Sequence, residues 1–110
     1  YHGCDYCVGA HSMIADKMSG VPGHVTDAIR DGETIDDPKL QALQDFAVAM
    51  LESRGAPSRT EVEDFLGAGF SEQQLLEVIV AIAVKTLSNY SNHLTHTELD
   101  TVFEDYRWEK

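Results

Sequence analysis

The segment LLEVIVAIAVKTL at positions 75–87 decides the fold class of this chain. Its apolar residues do not alternate with polar ones, as they would in a half-buried strand, and the run is long enough for several helical turns. Ser71 and Gln74 stand just before it at capping-box spacing, which predicts that a helix begins near Ser71. Because the segment is apolar nearly all round, we expect it to form the central buried helix.

Further helix signals lie on the N-terminal side of this segment. Asp37 is a good capping residue, and Pro38 suits the first position of a helix. Ser58 and Glu61 have capping-box spacing. Helices are predicted at 4–18, 22–30, 38–55 and 58–67. No stretch alternates convincingly, so the sequence predicts an all-α chain of five or six helices that forms one domain over residues 1–110.

The composition limits the classes of partner. The chain has 110 residues, with 19 Asp and Glu against 8 Lys and Arg, and a formal charge of -11. Nucleic-acid binding depends on Lys and Arg at phosphates, and anionic membranes attract basic surfaces, so neither partner is expected. No apolar run is long enough to cross a bilayer, and no signal peptide is visible. These observations predict a cytoplasmic protein.

The N-terminal segment YHGCDYCVGAHS at 1–12 contains both cysteines of the chain. On a helical wheel Cys4, Cys7 and His11 fall within roughly 60° of one another, so they share a face. A position near a helix N-terminus favours a thiolate, which we expect at Cys4. His11 lies one turn after Cys7 and could take its proton or stabilise its thiolate.

Three interpretations of this trio are open, and the residues favour the first. A redox dithiol would form a sulfenic acid on one sulfur and then a disulfide, which an external dithiol would reduce. A zinc site needs four ligands, so His93 or His96 would have to join Cys4, Cys7 and His11. The third interpretation is an inert pair of buried thiols. A thioredoxin-like site would need a strand before the motif, which the pattern lacks. We therefore expect no metal and no cofactor.

A polar group stands at the end of the long apolar helix. Asn89, Asn92, His93 and His96 have spacings that place them on one helical stripe. Polar residues on a buried helix need partners, and one possibility is that they line the cysteine pocket and contact a substrate. The other possibility is that they satisfy the last carbonyl groups of the helix or a subunit contact.

The segment GCDYCVGAHS at 3–12 resembles the CxxCxxxH signature of AhpD-like alkylhydroperoxidases, within the carboxymuconolactone decarboxylase superfamily. The segment GAGFSEQQLLEVIVAIAVKTLSNYSNHL at 67–94 is similar to a second region of that family, where a loop with Gly and Ser or Thr leads into a long apolar helix. Together the two regions cover most of the chain, and the middle matches only in pattern. The resemblance implies the AhpD-like helical fold.

The resemblance also implies an activity, which is the reduction of hydroperoxides by the cysteine pair. Carried over by position, Cys7 would be the peroxidatic thiol, Cys4 its resolving partner and His11 the histidine of the proton relay. The implied partners are a hydroperoxide substrate, a dithiol electron donor and further copies of the chain, as a dimer, trimer or hexamer. Decarboxylase members generally lack the cysteine pair, which favours the peroxidase branch.

The sequence departs from the family pattern at two points. The relay usually includes a glutamate twelve residues before the first cysteine, and that position would precede Tyr1. Some members have a histidine where this chain has Tyr6. Two explanations are open: either the N-terminal helix or helices are not included in this chain, which we favour, or this branch works without that acid. In either case weak or no activity is expected.

Two alternative functions are kept beside the peroxidase. One is a lyase or isomerase similar to carboxymuconolactone decarboxylase, with His11, His93 or His96 as acid or base. The other is a non-catalytic, redox-sensing oligomeric module, in which disulfide formation changes the assembly state.

Overall fold

A computed structural model describes residues 1–109, and every regular element in that range is helical. The elements are α1 (Asp5–Lys17), α2 (Gly23–Asp31), α3 (Pro38–Glu52), α4 (Arg59–Gly67), α5 (Glu72–Thr95) and the 3-10 helix η1 (Thr101–Tyr106). The prediction of an all-α chain with five or six helices is confirmed.

The predicted capping residues begin the helices. The Ser58 hydroxyl accepts a hydrogen bond from the Glu61 amide at 3.2 Å, and the Glu61 carboxylate accepts one from the Ser58 amide at 2.6 Å. Ser71 and Gln74 form the same reciprocal pair at the start of α5, at 3.1 and 2.9 Å. Asp37 accepts two backbone N–H groups at the start of α3. These contacts satisfy amide groups that have no partner inside the helix.

The chain divides into two units, and the unit Ile35–Lys85 has an aromatic core. Phe65 is 1% exposed and stacks on Phe46 and Phe70, with ring centroids 4.4 and 4.5 Å apart. Met50 completes the buried set. Partly buried side chains surround it: Leu43, Val62, Leu66, Leu75, Val78 and Ile82. This core holds α3, α4 and the first half of α5 together.

The other unit comprises Tyr1–Thr34 and the chain from Thr86 onward. Arg30 joins its two parts, because the guanidinium donates to the carbonyl groups of Tyr106 and Arg107, both at 3.0 Å. The Trp108 indole N–H returns a bond to the Arg30 carbonyl at 3.1 Å. Gly9 permits the close approach of α1 to the C-terminal segment, since a Cβ atom there would lie 3.0 Å from Leu99. The segment that contains Leu99, Tyr106 and Trp108 is thereby held beside α1 and α2.

The prediction that α5 is the central buried helix is wrong. No residue of α5 is buried, although Leu75, Val78 and Ile82 pack against the aromatic core. The opposite face of the helix is uncovered, and Leu87 is 72% exposed on it. A helix that is apolar all round can be uncovered on one side in a single chain, because the apolar pattern does not say what covers each face.

Within residues 1–109, no single helix has the length and apolar character needed to cross a membrane. Helices α4 and α5 meet that test only when joined, and their axes are bent by 112° at the turn between them.

Candidate active site

Both cysteines are buried at the start of α1. Cys4 is the N-cap residue, and its sulfur accepts a hydrogen bond from the Cys7 amide at 3.4 Å. Cys7 lies in the first turn of the helix, and the two side chains are 3% and 6% exposed. They are present as thiols and not as a disulfide. The CxxC spacing thus places Cys4 at the helix cap and Cys7 three residues later, in the first turn.

The expected thiolate at Cys4 is not supported. Burial raises the pKa of the Cys4 thiol above its ordinary value, and a hydrogen bond with the Cys7 side chain raises this pKa further. The Cys7 amide and Asn92 act in the opposite direction, but they are the weaker influences. Loss of water around the sulfur outweighs the helix terminus, because a buried thiolate loses more hydration than two weak donors return. Cys4 is therefore a neutral thiol near pH 7.

Helix α5 supplies a polar group to the sulfurs. The Asn92 side-chain amide donates to the Cys7 sulfur at 3.2 Å and lies 4.0 Å from the Cys4 sulfur. The Ser88 hydroxyl, one helical turn earlier, is 3.9 Å from the Cys7 sulfur. Asn92 was among the residues that the sequence placed at the cysteine pocket, whereas Ser88 was missed. The sequence signal for Ser88 was its position four residues before Asn92, which places the two side chains on the same helix face.

His11 shares the helix of the cysteines. Its ring nitrogen Nδ1 donates to the Cys7 carbonyl oxygen at 2.9 Å. That bond requires the proton on Nδ1, so in the neutral ring Nε2 is the proton acceptor. The ring is exposed at the surface of α1. His11 is thus oriented by the backbone of Cys7.

Asn89 and His93 lie on the same part of α5, beside His2. The Asn89 amide donates to Nδ1 of His2 at 3.0 Å. The Asn89 side-chain oxygen is buried and accepts no hydrogen bond from the described residues. Burial lowers the pKa of His2, and the positive charges of the amino terminus and His93 lower it further. The structure thus places His2, which the sequence did not identify as a partner of Asn89, in the same unit as the cysteines.

His96 is placed differently from the other three residues of the predicted stripe. Helix α5 ends at Thr95, and His96 has a left-handed backbone with φ of 49°. It lines a cleft of about 470 Å³ with Asp5, Tyr6 and Trp108 among its neighbours. The helical spacing would place His96 on the same stripe as Asn92, but α5 ends one residue before His96 because the chain turns there. The predicted stripe is therefore wrong at His96.

The ligand set of the zinc interpretation does not come together. Within residues 1–109, no three side chains of His, Cys, Asp or Glu converge in a way that could hold a metal ion. Both cysteines are buried whereas His11 is exposed, and the Nδ1 atom of His11 is directed to a backbone carbonyl. The arrangement can instead polarise one sulfur with an amide while a second thiol lies next to it.

In comparisons with known proteins, no protein-family model and no curated protein matched this chain.

Proposed function

We propose that this chain is a thiol peroxidase that reduces hydroperoxides through a dithiol and disulfide cycle at Cys4 and Cys7. The observation that carries the proposal is the Asn92 amide, which donates to the Cys7 sulfur at 3.2 Å beside the buried Cys4 thiol. The resemblance of 3–12 and 67–94 to AhpD-like alkylhydroperoxidases supports the same reaction. Because the polar groups contributed by α5 converge on sulfur, the site favours thiol chemistry over histidine acid–base chemistry.

Cys7 is the better nucleophile of the pair. It lies in the first turn of α1, where the helix terminus favours negative charge, and Asn92 and Ser88 are both directed toward its sulfur. Burial raises the pKa of the Cys4 thiol, which keeps the proton on that sulfur. On these contacts Cys7 is assigned as the attacking sulfur and Cys4 as the resolving thiol.

The reaction proceeds in two steps at the sulfurs. The Cys7 thiol gives up its proton, and its thiolate attacks one oxygen of the hydroperoxide. The O–O bond breaks, the sulfur becomes a sulfenic acid, and the departing alkoxide takes up the proton that the thiol released and leaves as the alcohol. The Cys4 thiol then attacks that sulfur, forming the disulfide and releasing water. By the resemblance, His11 is the proposed acceptor of the proton of the Cys7 thiol.

An external dithiol closes the cycle. Two thiol–disulfide exchanges restore Cys4 and Cys7 and leave the donor as a disulfide. The reducing cytoplasm is the compartment that supplies such a donor. Further copies of the chain are the other partner that the resemblance implies. Asn89, with its buried acceptor oxygen, and His93 are proposed to line the substrate pocket.

The proposal is tested by stopped-flow oxidation of the reduced chain with hydrogen peroxide and with cumene hydroperoxide. We expect oxidation faster than that of a free cysteine peptide, and a Cys4–Cys7 disulfide by mass spectrometry. Cys4→Ser should stop at a sulfenic acid on Cys7, Cys7→Ser should remove the fast phase, and Asn92→Ala should slow it roughly tenfold through loss of one hydrogen bond to a charged sulfur.

His24→Asn is the matched control, since His24 is an exposed residue of α2, and it should react like the parent chain. Oxidation no faster than that of the peptide would refute the peroxidase. Fast disulfide formation without turnover of an added dithiol would instead support the redox-sensing module. Lactone decarboxylation that survives replacement of both cysteines would support the lyase.

A further inference from the structure

The exposed face of α5 carries a regular apolar pattern. Its large side chains are 43% to 83% exposed: Leu76, Ile79, Val80, Val84, Leu87, Tyr90 and Leu94. On a helical wheel they occupy one side, opposite the residues that contact the aromatic core and the cysteines. A continuous apolar patch along a helix of 24 residues is rare on a monomeric protein and marks an interaction surface.

The spacing within this face is that of a coiled coil. Six residues follow one another at intervals of 4, 3, 4, 3 and 4: Leu76, Val80, Ala83, Leu87, Tyr90 and Leu94. We call this set the α5 seam. Alternation of three and four is the pattern by which one helix packs along another helix of the same kind. A partner helix with a matching seam is therefore the occupant that this surface fits.

We propose that the α5 seam pairs with the α5 seam of a second copy of the chain, in antiparallel orientation about a two-fold axis near Lys85. This inference does not depend on the peroxidase chemistry, because the seam lies on the face of α5 opposite Asn92. Closed two-fold dimers are the commonest oligomers and need only one self-complementary surface.

Side-chain size favours the antiparallel arrangement. It places each small or medium residue against a large one: Ala83 against the partner's Leu87, and Val80 against the partner's Tyr90. Leu76 then meets the partner's Leu94 at both ends. A parallel pair would set Ala83 against the partner's Ala83 and leave a gap. It would also set Tyr90 against the partner's Tyr90, where two large rings would be crowded. Alternating large and small side chains fill the space between facing helices more evenly.

Charge favours the same orientation. In a parallel pair Glu72 would face the partner's Glu77 across the seam, and like charges in such positions are destabilising. The antiparallel pair sets Glu77 beside the partner's Ser91 instead. The large acidic surplus of the chain lies mainly outside the seam. Between positions 76 and 94, Glu77 is the only acidic residue. The same surplus opposes docking on an anionic membrane.

The oligomeric state is tested by sedimentation velocity of the reduced chain over a range of concentrations. We expect a monomer–dimer equilibrium. Leu87→Glu should weaken it at least about 100-fold, because the change removes a buried leucine and adds an acid in both copies. Val102→Glu is the matched control, since Val102 is 67% exposed on η1 outside the seam, and it should leave the equilibrium unchanged.

Circular dichroism of each variant separates a lost contact from a lost fold, and the helical signal of Leu87→Glu should equal that of Val102→Glu. A parent chain that stays monomeric at the highest soluble concentration would refute the proposal. So would a dimer that Leu87→Glu leaves intact, a trimer, or a monomer that binds vesicles of neutral phosphatidylcholine through this face.

Orientation is tested by disulfide cross-linking in a chain with Cys4→Ser and Cys7→Ser. A mixture of the variants Leu76→Cys and Leu94→Cys should form a mixed cross-linked dimer, whereas neither variant should cross-link alone. Cross-linking of Leu76→Cys with itself would show parallel helices and overturn the antiparallel pairing.

Discussion

At the scale of single residues, environment gives the two cysteines different character. Both belong to one short motif. Cys4 is the helix cap, and burial raises the pKa of its thiol, whereas the Cys7 sulfur accepts a hydrogen bond from the Asn92 amide at 3.2 Å. A motif of two identical residues therefore contains two different thiols. The difference comes from α5, which is distant in sequence, because the Asn92 amide lies 3.2 Å from the Cys7 sulfur and 4.0 Å from the Cys4 sulfur.

The Cys4 thiol should ionise at a higher pH than an ordinary cysteine, because burial raises its pKa. The test is the rate of alkylation by iodoacetamide in a Cys7→Ser variant, which should rise with pH at a midpoint above that of a cysteine peptide. Because its pKa is raised in the folded chain, the Cys4 thiol makes its full contribution to the free energy of unfolding at pH values below the ordinary thiol pKa. That contribution is lost as the pH rises through the raised pKa. A midpoint at or below that of the peptide would contradict this assignment.

At the scale of helices, the capping residues set where each element begins. Ser58 and Glu61 bond reciprocally, and the hydrogen bond from the Ser58 amide lowers the pKa of the Glu61 carboxyl group. The same arrangement of Ser71 and Gln74 begins α5. These local contacts explain why the predicted starts of α3, α4 and α5 are accurate, since caps depend on residues a few positions apart.

Ser58→Ala should lower the free energy of unfolding by about 1 kcal/mol, because the Glu61 amide loses its acceptor. Ser58→Asp restores a capping oxygen and should recover most of that loss. Urea unfolding followed by circular dichroism measures both, and amide hydrogen exchange at Glu61 should quicken in the alanine variant only. Equal stability of the alanine and parent chains would show that the cap contributes nothing.

At the scale of the whole molecule, apolar groups are distributed unevenly. The unit Ile35–Lys85 encloses its stacked phenylalanine rings, whereas the apolar side chains of the α5 seam are left exposed. Burial of the rings accounts for much of the cohesion of that unit, since aromatic side chains remove large apolar areas from water. The exposed seam is where a second copy would bury more.

Phe65→Ala should destabilise the chain by about 3–5 kcal/mol, because it leaves a cavity between the rings of Phe46 and Phe70. Phe65→Leu should cost less, since it refills part of that volume. Val102→Ala is the control at an exposed site, and its effect should stay within about 0.5 kcal/mol. Thermal and urea unfolding measure all three, and a small loss for Phe65→Ala would mean that the rings do not form the main core.

The sequence by itself determined the helical class and most helix boundaries. These features depend on neighbours within one or two turns, so periodicity and capping contain the needed information. It also pointed to Asn92 as a pocket residue through its position on α5. The sequence did not predict that one side of α5 is exposed or that the chain turns at His96. An apolar pattern shows that a face avoids water and not which surface covers it.

Only the tertiary structure decided how the site is composed. It brought the Asn92 amide and the Ser88 hydroxyl to the Cys7 sulfur, and it buried Cys4 enough to reverse the effect expected of the helix terminus. These properties depend on distances between residues more than eighty positions apart and on the exclusion of water. Both follow from packing, which no local pattern in the sequence records.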